Sequence, residues 1–208
     1  MTLQNGLVLG SKVHLWADIM IWHSQTGEAL GHGEKAFEVE SRTAAGVIAA
    51  NGWKPGKIIW DVSQSAPTNE WELCQAVSGA VLEAAYNGAH ARVLLAVVEP
   101  EQCLWMIAND RPGGAEPFEP QAFSFYVSSG NKTPECREAT EKGFTVERMD
   151  RVIEAQSRTP FDSLPGATPP VGRYIGGNLI HITVSRKGVS GGAVREFASW
   201  SATTTPVK

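Results

Sequence analysis

The sequence predicts an α+β domain of mostly antiparallel strands, with helices whose apolar faces are wide enough to cover a sheet. Three observations carry this expectation: alternation with period two dominates both ends of the chain, helical periodicity dominates the middle, and short turn-forming pairs join consecutive strands.

At the N-terminus, residues 3–9 and 12–17 flank Gly10-Ser11, a pair that fits a two-residue type II′ hairpin. That turn pairs Leu9 with Lys12 and Val8 with Val13. Carried outward, it pairs Leu3 with Asp18 and Thr2 with Ile19. Residues 19–22 form a further run, followed by the turn-rich His23-Ser24-Gln25-Thr26-Gly27, and a returning strand brings Lys35, Phe37 and Val39 back alongside. A buried strand is expected over residues 45–52.

The middle of the chain changes period. Residues 69–86 read as a helix capped by Asn69, with Trp71, Leu73, Cys74, Val77, Val81 and Leu82 among its apolar positions. Two strands follow, over residues 92–99 and 102–109, joined across Pro100-Glu101. A Gly/Pro-rich loop spans 111–120, and a short strand spans 122–127. In residues 145–158 a stripe of Val146, Met149, Val152, Ile153 and Gln156 marks an amphipathic helix laid on a sheet. Residues 160–170 contain four prolines and read as an irregular crossing. The final hairpin alternates Ile180, Ile182 and Val184 against His181 and Thr183, turns near Lys187-Gly188 and returns through Val194. Residues 1–208 are expected to form one domain, with a short tail over about 201–208.

Composition narrows the function classes. With 208 residues, 42% hydrophobic and 19% charged, the chain is long enough for one sizeable core. Its net charge of −4, and the lack of any Lys/Arg cluster longer than Arg186-Lys187, disfavour nucleic acid and anionic membranes as partners. The longest apolar run, residues 93–98, is too short to span a bilayer, and the N-terminus has no basic region followed by an apolar one. A soluble protein is expected, cytoplasmic or, if phage-encoded, part of a virion. Cys74, Cys103 and Cys136 are odd in number and widely spaced, so neither a disulfide framework nor a metal site is indicated. His23 and His32 flank Glu28 and Glu34 but match no ligand spacing, and solvated hairpin side chains are the simpler reading. No cofactor or metal is expected. Of the seven tryptophans, Trp16, Trp22 and Trp53 lie in or beside the proposed site strands, where they could line a pocket or interface or serve as ordinary core.

The chemistry is concentrated at the start of the chain. Thr2 follows Met1, and removal of the methionine would leave a threonine bearing both a hydroxyl and a free α-amine. That amine, with an ordinary pKa of about 7.7 to 8.0, can act as base for its own hydroxyl. Strict alternation would put the side chains of Thr2 and Asp18 on opposite faces of the hairpin, so contact between them needs a bulge or an intermediary. Lys35 is suited to that place, because an ammonium between them would lower the cost of a nucleophilic alkoxide.

In the order and spacing of Thr2, Asp18 and Lys35 the chain resembles the proteasome β-subunit and HslV type of N-terminal-nucleophile hydrolase, as a divergent member. The resemblance extends weakly along most of the chain, through Ser128-Ser129-Gly130 to Tyr174-Ile175-Gly176-Gly177. It implies a four-layer αββα sandwich with two mostly antiparallel sheets face to face, where the sequence by itself also allows two layers. It further implies Thr2 as catalytic nucleophile, Asp18 and Lys35 as its electrostatic support, Ser129 as a third support, and an oxyanion donor from the backbone near Asn51 and Gly52. Where such proteins place an Asp and a Ser before a glycine, this chain reads Val171-Gly172-Arg173-Tyr174-Ile175-Gly176, with no acid. Two functions follow as expectations. One is a threonine peptidase or amidohydrolase acting on a peptide or amide within a homo-oligomer. The alternative is a catalytically inactive structural or assembly subunit of a ring or virus particle.

Overall fold

The computed structural model describes residues 3–22, 29–51, 55–110, 116–128, 132–159, 161–162, 171–172 and 175–197, with backbone alone at 51, 55, 161, 162, 171 and 172. In chain order the elements are β1 (Gln4–Leu9), β2 (Lys12–Asp18), β3 (Met20–Trp22), β4 (Ala29–His32), β5 (Ala36–Val39), β6 (Ala44–Asn51), α1 (Pro55–Ser65), α2 (Glu70–Tyr86), β7 (His90–Val97) and β8 (Cys103–Ala108). They continue as β9 (Gln121–Phe123), β10 (Phe125–Val127), α3 (Pro134–Lys142), α4 (Val146–Arg158), β11 (Phe161–Asp162), β12 (Val171–Gly172), β13 (Asn178–Ser185) and β14 (Gly188–Glu196).

Two five-stranded antiparallel sheets result, one ordered β10-β1-β2-β13-β14 and the other β5-β6-β7-β8-β9. The first hairpin turns at Gly10-Ser11, where Gly10 has φ +59°, a conformation that glycine adopts without steric cost. Leu9 then pairs with Lys12 and Val8 with Val13, in the register the turn dictates.

Side-chain alternation builds the layers. Val13, Leu15 and Ala17 of β2 meet Val47 of β6, Leu94 and Ala96 of β7 and Leu104 and Met106 of β8 between the sheets. Trp16, one residue out of phase, joins Leu3, Leu7, Met149 and Ile153 under α4. On the far side Val93, Leu95 and Val97 pack against Leu73, Val77 and Val81 of α2 and Ile58 and Val62 of α1. β7 is therefore apolar on consecutive residues because it is covered on both faces. The architecture is the four-layer αββα sandwich, helices outside and mostly antiparallel sheets inside.

Helices α2 and α4 begin where capping chemistry puts them. The Asn69 side chain accepts from the Glu72 N–H at 2.9 Å, and the Thr145 hydroxyl accepts from the Arg148 N–H at 3.2 Å.

Several elements differ from the expectation. The strand that returns beside β3 is β4, and Phe37 and Val39 belong instead to β5, which pairs with β6 in the second five-stranded sheet. Residues 55–65 form α1, where no helix is expected from the sequence; its signal is a proline in the first turn followed by Ile58 and Val62 four residues apart. Residues 122–127 are not one strand. The chain leaves one sheet after β9 and enters the other at β10, with Ser124 between them accepting from the Val8 N–H at 2.8 Å. Most of residues 160–170, Trp53 and the tail over 201–208 lie outside the described residues. Among the described residues, no helix is long and apolar enough to cross a membrane.

Candidate active site

The ends of β1 and β2, the residue before β5 and the approach to β13 converge on one carboxylate. Asp18 closes β2, is 0% exposed, and accepts three hydrogen bonds. The Leu3 N–H donates to its Oδ1 at 2.8 Å, the Gly176 N–H donates to its Oδ2 at 3.1 Å, and the Lys35 ammonium donates to Oδ1 at 3.4 Å. Lys35, only 4% exposed, also donates to the Met20 carbonyl oxygen. Its own carbonyl accepts from Ile48 N–H at 2.8 Å, which ties the segment ahead of β5 to the neighbouring β6.

Burial dominates the electrostatics of this pair. It raises the Asp18 carboxyl above its ordinary range, against the opposing pull of Lys35 and of the two backbone N–H donors. It lowers the Lys35 ammonium, against the stabilising charge of Asp18. Both shifts bring the two proton affinities closer together. A lysine of lowered proton affinity beside a hydroxyl can hold or release a proton with less cost than a solvated one.

Of the sequence-predicted site residues, Asp18 and Lys35 are thus brought together. Asn51 is the last residue of β6, opposite His90 of β7. Thr2, Ser129 and Gly52 lie outside the described residues. Leu3, the next residue after Thr2 in the chain, is bound to the Asp18 carboxylate through its own N–H. The Gly176 N–H is the contribution that the sequence did not announce. A backbone donor leaves no residue-type signature, and only the glycine that permits close approach hints at it.

A buried polar group beside this site was also missed. Ser128, just before the expected Ser129, accepts from Gln4 N–H through its Oγ at 3.0 Å, and its N–H donates to Asn5 Oδ1 at 3.0 Å. Asn5 Nδ2 donates to Gln156 Oε1 at 2.8 Å, and Gln156 Nε2 donates to the Ser128 carbonyl at 3.1 Å. The available signal was polar residues at strand and helix positions where apolar ones would be expected.

The other reactive side chains have structural settings. Cys74 lies in the core with its thiol pushed up to about 12 by burial, and Cys103 is pushed up to about 11 by the same cause. Trp16 is core, stacked parallel on His181 with ring centroids 4.5 Å apart. Among the described residues no three His, Cys, Asp or Glu side chains are grouped to hold a metal ion.

Among solved structures, the Gly-1 mutant of Anbu from Hyphomicrobium sp. strain MC1 is similar to this chain, with a TM-score of 0.64 and 10% identity, covering 94% of this chain and 86% of its own. Both share the proteasome-like αββα fold. No family model matches the chain. No curated protein matches it either. These results correct the reading of the chain as a divergent member of the proteasome β-subunit and HslV family: at 10% identity the likeness is one of fold alone, and nothing in the sequence comparisons adds membership to it.

Proposed function

We propose that the chain is an N-terminal-threonine amidohydrolase on a proteasome-like fold, with Thr2 as the nucleophile once Met1 is removed. The observation that carries this reading is the buried Asp18–Lys35 pair, whose carboxylate also holds the N–H of Leu3, the residue that follows Thr2. Placing a lysine and an aspartate at 4% and 0% exposure costs desolvation that a purely apolar packing would avoid.

In the proposed reaction the Thr2 amine takes the hydroxyl proton and the hydroxyl oxygen attacks an amide or peptide carbonyl. Lys35 stabilises the developing alkoxide and Asp18 orients Lys35. A backbone N–H near Asn51 and Gly52 receives the oxyanion, and Ser129 supports the amine. The leaving amine departs with the proton, and water then hydrolyses the acyl-threonine. No cofactor enters, and the chain acts within a homo-oligomer. Exposed Trp60, Trp71 and Tyr86 on α1 and α2 are the apolar surface that supports the assembly part of this reading.

One observation favours the second reading, an inactive structural subunit: the stretch before Gly176 supplies no acid, and the Gly176 N–H itself donates to Asp18, so the ion pair is complete as a tie between elements. The two readings separate by experiment. Intact mass of protein from its native source should show loss of one methionine. Trimmed protein should hydrolyse members of a broad amide and peptide panel, and a threonine-directed covalent inhibitor should add its mass at Thr2. Thr2→Ala and Lys35→Ala should each reduce turnover on the order of 100-fold or more. Retention of Met1, or hydrolysis undiminished in Thr2→Ala, refutes the enzyme.

A further inference from the structure

Gln4 and Asn5 are polar residues at the start of a buried strand, 1% and 0% exposed, on opposite faces of it. Period two sends Gln4 toward the facing sheet, where its Nε2 donates to the Val47 carbonyl of β6 at 2.7 Å and to the Arg92 carbonyl of β7 at 3.1 Å. Asn5 goes the other way, toward α4, into the ring of hydrogen bonds with Gln156 and Ser128.

That ring closes on itself. Asn5 Nδ2 donates to Gln156 Oε1, Gln156 Nε2 donates to the Ser128 carbonyl, and Ser128 N–H returns to Asn5 Oδ1. Backbone partners can only donate or only accept, so the orientation of both amides is determined by the network. The Ser128 hydroxyl donates to Asn5 Oδ1 at 3.3 Å while accepting from Gln4 N–H at 3.0 Å. One residue earlier, Leu3 N–H is held by Asp18. Two consecutive backbone amides and two consecutive side chains are therefore pinned by five other elements or segments, directly after Thr2.

Terminal strand residues fray unless they are tied down, and apolar side chains would tie them adequately if only cohesion were required. Buried polar groups are costly unless satisfied, and when satisfied they select one arrangement over its near neighbours. We propose that Gln4, Asn5, Ser128 and Gln156 are positioning residues: a polar clamp across both faces of β1 that holds Leu3 and Gln4 at one place relative to Asp18 and Lys35. The assignment of a catalytic purpose to that placement rests on the reading of Thr2 as nucleophile. The clamp itself does not.

Ser128→Ala and Ser128→Thr in the full chain provide the test, because alanine removes the acceptor of Gln4 N–H and threonine keeps it. Amide hydrogen exchange read residue by residue should show Leu3 and Gln4 exchanging at least tenfold faster in Ser128→Ala, with the β7 and β8 amides unchanged, and near-native rates in Ser128→Thr. Gln4→Met, which retains the side-chain length and loses both carbonyl contacts, should likewise speed Leu3 and Gln4 alone. In preparations that hydrolyse an amide substrate, Ser128→Ala should lower kcat tenfold or more with KM within about twofold, and Ser128→Thr should restore it. Unchanged exchange at Leu3 and Gln4, or acceleration spread evenly over both sheets, overturns the clamp. Local exchange acceleration with KM changed and kcat intact overturns its link to the reacting group. Wild-type protein that is trimmed yet inactive, with the exchange pattern as stated, refutes the hydrolase reading and leaves the clamp standing.

Discussion

Removing either member of the Asp18–Lys35 pair should destabilise the protein, and the two losses should depend on pH in opposite directions. Lys35→Met retains most of the side-chain bulk and deletes the ammonium, leaving the Asp18 carboxylate at 0% exposure with only the Leu3 and Gly176 N–H donors. Breaking a buried ion pair by removing one partner costs roughly 3–5 kcal/mol, against a total stability of about 5–15 kcal/mol for a domain. Over most of that range the variant still folds and can be measured. Without Lys35 the folded-state pKa of Asp18 rises further above its unfolded value. A group raised in this way favours the folded state at acid pH and loses that contribution as pH rises through its folded pKa, so the Lys35→Met deficit should grow from pH 5 to pH 9. Asp18→Asn leaves the Lys35 ammonium with neutral acceptors only, the Met20 carbonyl and an amide oxygen, and lowers its folded pKa further. A base depressed in the folded state loses stability as pH falls, so this deficit should instead shrink from pH 5 to pH 9. The double variant removes both charges and should recover at least about 2 kcal/mol relative to the sum of the singles. Urea titrations followed by tryptophan fluorescence at pH 5, 7 and 9 measure all four corners; with a slope of about 1–3 kcal/mol per molar, a 3 kcal/mol loss moves the midpoint by roughly 1–3 M. Losses below about 1 kcal/mol for both singles, the level of an exposed pair, or slopes of the same sign, refute the picture of a desolvated pair.

Two further outcomes follow from other parts of the fold. His14 is buried beside His181 and Thr183, and burial, with His181 and Lys12 nearby, brings its imidazole down to about 4 from 6.5. The unfolded chain then takes up the proton first, so stability is full above about pH 6.5 and is lost as pH falls toward 4, by about 2 kcal/mol at pH 5; His14→Phe should flatten that slope in urea titrations, and a wild-type midpoint unchanged between pH 7 and 5 contradicts it. At Gly191 an added Cβ would stand 2.4 Å from the His181 carbonyl oxygen and 2.8 Å from the Ile182 Cα, both backbone, whereas at Gly192 it would meet nothing within 4 Å. Gly191→Ala should therefore cost about 1–3 kcal/mol and Gly192→Ala little, as differential thermal unfolding would show; equal melting temperatures for the two would mean that β14 shifts freely at the sheet edge.

What the sequence determined by itself is whatever is encoded within a few residues. Gly10-Ser11 set the first turn and with it the register that puts Leu3 opposite Asp18. Asn69 and Thr145 started α2 and α4 because their side chains satisfy free N–H groups a few atoms away, and the stripe from Val146 to Gln156 chose the face of α4. The alternation of Ile180, Ile182 and Val184 gave the final hairpin its two sides. The tertiary structure decided everything that depends on distant partners. Residues 122–127 carry a single strand-like pattern, yet the segment divides between two sheets because Leu104, Trp105 and Met106 pair with Gln121–Phe123 and β1 with Phe125–Val127. α1 has a weak pattern of its own and is held by packing on α2 and the sheet. Gly176 reaches Asp18 from 158 positions along the chain, through a backbone N–H that no residue type advertises. Gln156 looks in sequence like the last position of an apolar helical stripe, and only the fold brings Asn5 and Ser128 to its amide, because hydrogen-bond satisfaction of a buried group is a property of the assembled surroundings and not of the residue.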